Sequence, residues 1–395
     1  MKEKRAGGYL NFCLYFQGEQ NNKVYIFFIT EKKHRMGDFF RLRSIDAELQ
    51  RIINPVSFFD VNPMNLEAEK EKVLEDPDYN PYFIYAAAPF DFDDVQEQLH
   101  SVDECESPLG RLLDQKRNIF IDKCEMLRDR GSRKFTVFAK KVYGLPSRAV
   151  LERSISFLSL DSEREEKTVD SRRAISLLQA EINHYGFDYE VSAKSMSASA
   201  MVLVSKKKIF VKDKFSFSDN FVKRLILHEV GTHVLRAENG REQPFMIFFH
   251  GLPNYLSTEE GLAVVNEERF GLLNNENLKN YAARAVAVHM AMTKSFSEIY
   301  NYLLGFFPPA TAFRLATRAK RGIADTSKPG GCPKDYVYID GYLKVKEYLE
   351  KGGSLSDLYV GKVGIEHLPD IKEMAGINRP RYLPKNQSFK SLLSF

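Results

Sequence analysis

Two histidines five residues apart, the first followed directly by glutamate, stand out in a chain that has eight histidines in all: His228-Glu229-Val230-Gly231-Thr232-His233. Imidazole nitrogens suit Zn2+, and a carboxylate beside them can take a proton from water, so the cluster has the residue types of a metal-centred hydrolytic site. The usual helical version separates its histidines by four residues, roughly 40° apart around the axis; a separation of five puts them about 140° apart. An undistorted α-helix cannot close both on one ion. The spacing therefore predicts a π-bulge or a local unwinding, with Gly231-Thr232 the place of least resistance. The competing reading is two unrelated histidines on a core helix.

A catalytic zinc commonly takes three protein ligands. Ser257-Thr258-Glu259-Glu260-Gly261-Leu262-Ala263 opens a second helical stretch with an acidic pair in its first turn. A carboxylate from that pair is a candidate third ligand. Ser257 and Glu260 also fit a capping box, and acids near a helix N-terminus are favoured with or without a metal, so the residues alone leave both readings open. Gly261 and Ala263 allow a neighbouring helix to approach closely.

The elements that must position these groups follow from periodicity. Ser216–Asn220 supplies N-caps for a helix whose Phe221, Leu225 and Leu227 lead into His228. Upstream, Asp170–Tyr185 has helical spacing, and Tyr189–Val191, Met201–Val204 and Lys208–Val211 read as short strands. The last two form a hairpin about the basic turn Lys206–Lys208, which is read as solvated. Residues 37–144 are mainly helical scaffold, with Leu42, Ile45, Leu49 and Ile52 on one face. His250 and His289 are read as structural, His289 as partly buried.

Composition removes several classes. With 44% hydrophobic residues and a mean hydropathy of −0.35, the chain is globular. A net charge of +4, from 57 basic and 53 acidic residues, is far from that of a dedicated nucleic-acid binder. Four cysteines without a C-x-x-C pair suggest neither a disulfide framework nor a cysteine zinc knuckle. No stretch reaches the roughly 18 apolar residues of a membrane span, and the charged start followed by Tyr9–Phe16 lacks a cleavage site, so a cytoplasmic protein is expected. Lys23–Thr30 is strand-like, and residues after Arg379 are expected to be loosely ordered.

Several segments together resemble the microtubule-associated tyrosine carboxypeptidase family: H-E-V-G-T-H at 228–233, T-E-E-G-L-A at 258–263 and K-R-G-I-A-D-T-S-K-P-G-G-C-P-K-D-Y-V at 320–337. Bacterial relatives are labelled flavohaemoglobin expression-modulating QEGLA-motif proteins. The resemblance runs from about residue 37 to 384. It implies one Zn2+ per chain held by His228, His233 and Glu260, with Glu229 as catalytic base. It further implies an α+β, zincin-like fold, mainly helical with a small sheet packed beside the metal-binding helix. Residues 1–36 are an N-terminal extension, 37–150 a helical region, 151–384 the catalytic region and 385–395 a tail, with 37–384 one composite unit.

The function implied is zinc-dependent removal of a C-terminal residue, tyrosine by family analogy, from a peptide or protein tail; tubulin enters by that analogy alone. Neither nucleic acid nor membrane is expected as a partner. A carboxypeptidase needs a cation for the terminal carboxylate and a donor for the developing oxyanion. Arg321 or Lys334 is the candidate cation, and Tyr338 the candidate donor. The alternative function is a non-catalytic regulatory or binding protein that retains the metal site. Retention of Glu229 favours the enzyme, because a purely structural site has no use for a base.

Overall fold

The computed structural model describes residues 33–56, 61–161, 165–196, 198–374 and 376–384. The strand-like Lys23–Thr30 and the tail 385–395 lie outside the described residues. So does most of the proposed N-terminal extension. The first helix starts at Lys33, so it crosses the expected boundary at residue 36.

The N-terminal region is built from α1 (Lys33–Ile53), α2 (Leu66–Glu75), α3 (Phe92–Ser101), α4 (Pro108–Arg128), α5 (Lys134–Tyr143) and α6 (Arg148–Leu158). Local chemistry sets several of these starts. The Asp91 side chain accepts the backbone N–H groups of Asp93 and Asp94, and Ser107 accepts that of Gly110 directly ahead of Pro108. After β1 (Val169–Asp170) comes α7 (Ser171–His184), then β2 (Glu190–Lys194), β3 (Ala200–Leu203), β4 (Lys208–Lys212) and β5 (Ser216–Phe217).

The strands form two small sheets. β1 pairs antiparallel with β5, and the other three run in the order β2-β4-β3. β3 and β4 are the expected hairpin, with Val202 opposite Ile209, while β2 lies parallel to β4, with Val191 opposite Ile209. Lys207 turns the hairpin with a φ of 50° and pairs with Asp188, and Lys208 pairs with Glu190, so the basic turn is a charge-paired surface feature.

Next come α8 (Asp219–His228), a π-turn (Glu229–Val234), α9 (Leu235–Arg241), α10 (Ile247–His250) and α11 (Leu256–Arg269). The chain is completed by α12 (Asn275–Ala291), α13 (Phe296–Leu304), α14 (Pro309–Lys320), α15 (Val337–Glu350) and α16 (Leu368–Glu373). The architecture is mixed α+β, dominated by helix, as expected. One core joins the two regions: Leu49, Leu113 and Leu127 share a cluster with Val264, Ala283 and Ile339. A second cluster, with Ile182, Val191, Ile209 and Ile226, seats α8 on the β2-β4-β3 sheet and α7.

Three expectations are corrected. The capping box does not form: α11 begins a residue before Ser257, and the Ser257 hydroxyl donates instead to Asp340 at 2.6 Å. The segment after Arg379 is docked up to residue 384, because Asn239 accepts the backbone N–H groups of Arg381 and Tyr382 and Tyr382 packs on Phe187. His289 faces solvent.

Candidate active site

The helix bearing the two histidines starts where the sequence places it. The Ser218 hydroxyl accepts the Phe221 N–H at 3.1 Å, and Val222, Leu225 and Ile226 face the core. Beyond His228 the backbone widens into the π-turn, which spans the whole of Glu229–Val234. The inserted residue brings the second imidazole back toward the first: the ring centroids lie 4.9 Å apart.

Glu260 of α11 completes a cluster with them. One ligand atom from each of His228, His233 and Glu260 lies within 4.8 Å of the other two. Glu260 Oε2 sits 3.4 Å from His228 Nε2 and 3.7 Å from His233 Nε2. Two ligands on a tetrahedral zinc stand about 3.3 Å apart, given bonds of about 2.0–2.1 Å. Glu260 Oε2 is also a buried acceptor without a hydrogen-bond partner among the described residues. The donor set, the spacing and the orphaned oxygen all fit a divalent cation such as Zn2+.

Behind each imidazole stands a buried carboxylate, itself held by arginine. His228 Nδ1 meets Glu267 Oε1 at 2.8 Å, and Glu267 is paired with Arg224 and the Tyr281 hydroxyl. His233 Nδ1 meets Glu259 Oε1 at 2.8 Å, and Glu259 is paired with Arg236. These contacts turn both Nε2 atoms toward Glu260. Burial works to raise the Glu259 carboxyl, but Arg236 and Lys362 outweigh it and hold the group at about 2. Burial likewise opposes ionisation of Glu260, and the two imidazoles and Lys334 bring it to about 2.

Sequence reasoning missed Glu267, Arg224 and Arg236, although the signal was there. Glu267 is two turns after Glu260 on the same helix face, and Arg224 and Arg236 lie one turn from His228 and His233. The Glu229 side chain, half-buried in the π-turn, makes no hydrogen bond or ion pair with the described residues, which leaves its carboxylate available.

Of the three candidate substrate residues, the structure brings two to the site. Tyr338 of α15, half-buried, stacks on His228 at 6.4 Å and on Tyr281 at 5.3 Å, and desolvation raises its hydroxyl and keeps it protonated. Lys334 lies close enough to Glu260 for their charges to interact and makes no ion pair with the described residues. Arg321 is engaged elsewhere: it pairs with Asp335 at 3.2 Å and reaches Asn62. Asp335 also accepts from Nε and Nη2 of Arg318, at 2.5 and 2.9 Å. Despite burial, Arg318, Arg321 and Arg284 hold the Asp335 carboxyl well below the usual carboxylate range. Arg284, which sequence reasoning also missed, stacks over Tyr338 at 4.3 Å and has no ion pair among the described residues.

A mainly helical α+β scaffold thus gathers two imidazoles and a carboxylate at one point, spaced as the ligands of a metal ion would be, with the Glu229 carboxylate next in sequence to the first histidine. Residues 73–394 match the family model described as microtubule-associated tyrosine carboxypeptidase, and the chain belongs to that family. The match begins later than the expected residue 37 and extends past 384. A mouse protein provisionally named tyrosine carboxypeptidase MATCAP2 is 33% identical over 162 residues, 40% of this chain and 31% of that protein. Its human counterpart is 30% identical over 46% of this chain and 35% of its own length. Mouse microtubule-associated tyrosine carboxypeptidase 1 is 26% identical over 49% of this chain and 42% of its own. The chain thus spans less than half the length of these curated relatives. Among the described residues, no helix is long and apolar enough to cross a membrane.

Proposed function

We propose that the chain is a zinc-dependent carboxypeptidase that removes a C-terminal residue from a peptide or protein tail. The observation that carries this reading is the convergence of His228 Nε2, His233 Nε2 and the partnerless Glu260 Oε2, with Glu229 next in sequence to the first ligand. A bound Zn2+ would supply Lewis-acid polarisation and make water nucleophilic at neutral pH. Glu229 takes the proton of the attacking water and returns it to the leaving amine. The Tyr338 hydroxyl, kept protonated by burial, donates to the oxyanion that develops on the scissile carbonyl. Lys334 and Arg284, which form no ion pair with the described residues, hold the terminal carboxylate. Arg321 supports them through Asp335.

Tyrosine, the residue in the relatives' names, is the first leaving residue to test.

The test is metal analysis of the purified protein together with cleavage of peptides ending in Tyr, Phe or Glu, for wild type and Glu229→Gln. Stoichiometric zinc, release of the last residue, and a loss of at least about 100-fold in kcat on Glu229→Gln are expected. Cleavage by Glu229→Gln at the wild-type rate, or wild-type protein free of metal at saturating Zn2+, would refute the reading and leave a regulatory or binding role.

A further inference from the structure

A π-turn is an α-helix with one residue too many, and it persists only where surrounding structure holds it. In this protein the inserted residue decides whether the two imidazoles share a face, since relaxation to an α-helix would swing His233 about 100° around the axis per residue. The braces are visible. Thr232 Oγ donates to the Leu227 carbonyl, five residues back, at 3.3 Å. The Tyr359 hydroxyl donates to the Gly231 carbonyl at 2.8 Å from a segment 128 residues away. Asn266 Nδ2 donates both to Thr232 Oγ, at 2.9 Å, and to the Tyr359 hydroxyl, at 2.8 Å.

All three side chains are fully enclosed: Thr232, Asn266 and Tyr359 are each 0% exposed. Asn266 uses its amide nitrogen for two bonds while its Oδ1 is left buried without a partner among the described residues. A group that tolerates an orphaned oxygen to keep two particular bonds is fixing a geometry, because a merely space-filling residue would be apolar. The Tyr359 segment is in turn anchored to the helix that follows the π-turn. Arg236 Nε donates to the carbonyls of Leu358 and Gly361 at 2.8 and 3.1 Å, and its guanidinium also reaches that of Val363 at 2.5 Å. Asn266 rides on α11, the helix that presents Glu260.

We propose that Tyr359 is a positioning residue for the metal site: with Asn266 and Thr232 it holds the π-turn in the register that sets His228 and His233 facing Glu260. This rests on the zinc reading above and adds to it a second, distant determinant of metal geometry. The brace ties the turn that joins His228 to His233 to the helix carrying the third ligand, so loosening it disperses the ligand set without touching any ligand.

The experiment loads purified protein with Zn2+ alone, measuring affinity by competition with a chromophoric chelator, and with Co2+ alone, recording the visible spectrum that reports ligand geometry. Tyr359→Phe and Thr232→Val are compared with Tyr342→Phe, which removes a hydroxyl bonded to Glu268 that takes no part in the brace. Circular dichroism confirms folding. Tyr359→Phe and Thr232→Val are expected to weaken Zn2+ binding by about 10- to 100-fold and to alter the Co2+ spectrum, as outer-shell changes do, while Tyr342→Phe matches wild type. Wild-type affinity and an unchanged spectrum in both brace variants would overturn the inference while leaving the zinc reading intact. If Tyr359→Phe fails to fold, Thr232→Val decides by the same two readouts. Failure of the wild-type protein to bind either metal would overturn the zinc reading and the brace with it.

Discussion

Gly341 offers a direct test of how the third ligand is placed. α11 and α15 cross at Gly261 and Gly341, so closely that a methyl group on Gly341 would strike the Ser257 carbonyl oxygen. It would also lie 2.7 Å from the Ser257 carbonyl carbon and 2.9 Å from the Gly261 Cα. Carbon atoms rest about 3.5–4.0 Å apart, so Gly341→Ala must part the helices by on the order of 1 Å. Backbone forms the obstacle on both sides, so no side chain can swing away. Overpacking costs about 1–3 kcal/mol, against about 1 kcal/mol gained by replacing a helical glycine with alanine. Net destabilisation of up to about 2 kcal/mol is expected from these terms. The effect on chemistry is larger. Glu260 adjoins Gly261, and Tyr338 lies one turn before Gly341 on the same face, so both move together; a misplacement of about 1 Å can cost about 100-fold in rate. Thermal unfolding, Zn2+ affinity and kcat/KM on a tyrosine-terminated peptide should be measured together. Gly37→Ala, where nothing lies within 4 Å of the added methyl, is the control. Wild-type stability and wild-type zinc affinity in Gly341→Ala would refute the reasoning that this crossing positions Glu260.

Glu259→Gln removes the charge that orients His233 and leaves Arg236 buried beside a neutral amide. A loss of about 10- to 100-fold in zinc affinity and a destabilisation of about 3–5 kcal/mol are expected, checked by chelator competition and denaturant unfolding. Lys334→Ala should lower kcat/KM by about 10- to 100-fold on peptides with a free C-terminal carboxylate. Wild-type protein should discriminate against the corresponding C-terminal amides; equal cleavage of acid and amide would refute the carboxylate assignment. Asp46 gives a pH dependence remote from the metal. Burial outweighs Gln50, the Ile247 and Met246 N–H groups and Lys116, and raises the carboxyl from 3.8 to about 6. The folded state therefore binds this proton more tightly than the unfolded chain. Its contribution to stability is greatest below about pH 4, falls as pH rises through about 6 and is flat above, a change of up to about 3 kcal/mol. Asp46→Asn should flatten that slope in unfolding experiments from pH 4 to 7.

Several local features were legible in the sequence for a reason that is itself local. Histidines five residues apart cannot face one ion on a 3.6-residue helix, so a widened turn at Gly231-Thr232 follows from helical pitch once the two are read as sharing one site. The Ser218 cap and the hairpin around Lys207 are likewise short-range, set by which side chains and φ values a few adjacent residues can adopt. Family membership was carried by the same contiguous segments. Charged partners were harder to read. Arg321 and Lys334 look equivalent as cations, yet Asp335 takes the first and leaves the second, because only the folded chain places Arg318, Arg321 and Asp335 around one buried point.

By itself, then, the sequence determined the residue types of the candidate site, the widened turn that a shared site would require and the order of elements that carries them, since these depend on covalent spacing and helical pitch. The residue types alone left the pair at 259–260 open and the family resemblance implied Glu260; the tertiary structure turns Glu260 toward the two imidazoles and sets Glu259 behind His233. The crossing at Gly261 and Gly341 fixes the rotation of α11, and buried Arg236 claims Glu259. Only the fold, too, brought Tyr359 to the Gly231 carbonyl, because a hydrogen bond across 128 residues leaves no periodic trace in the chain.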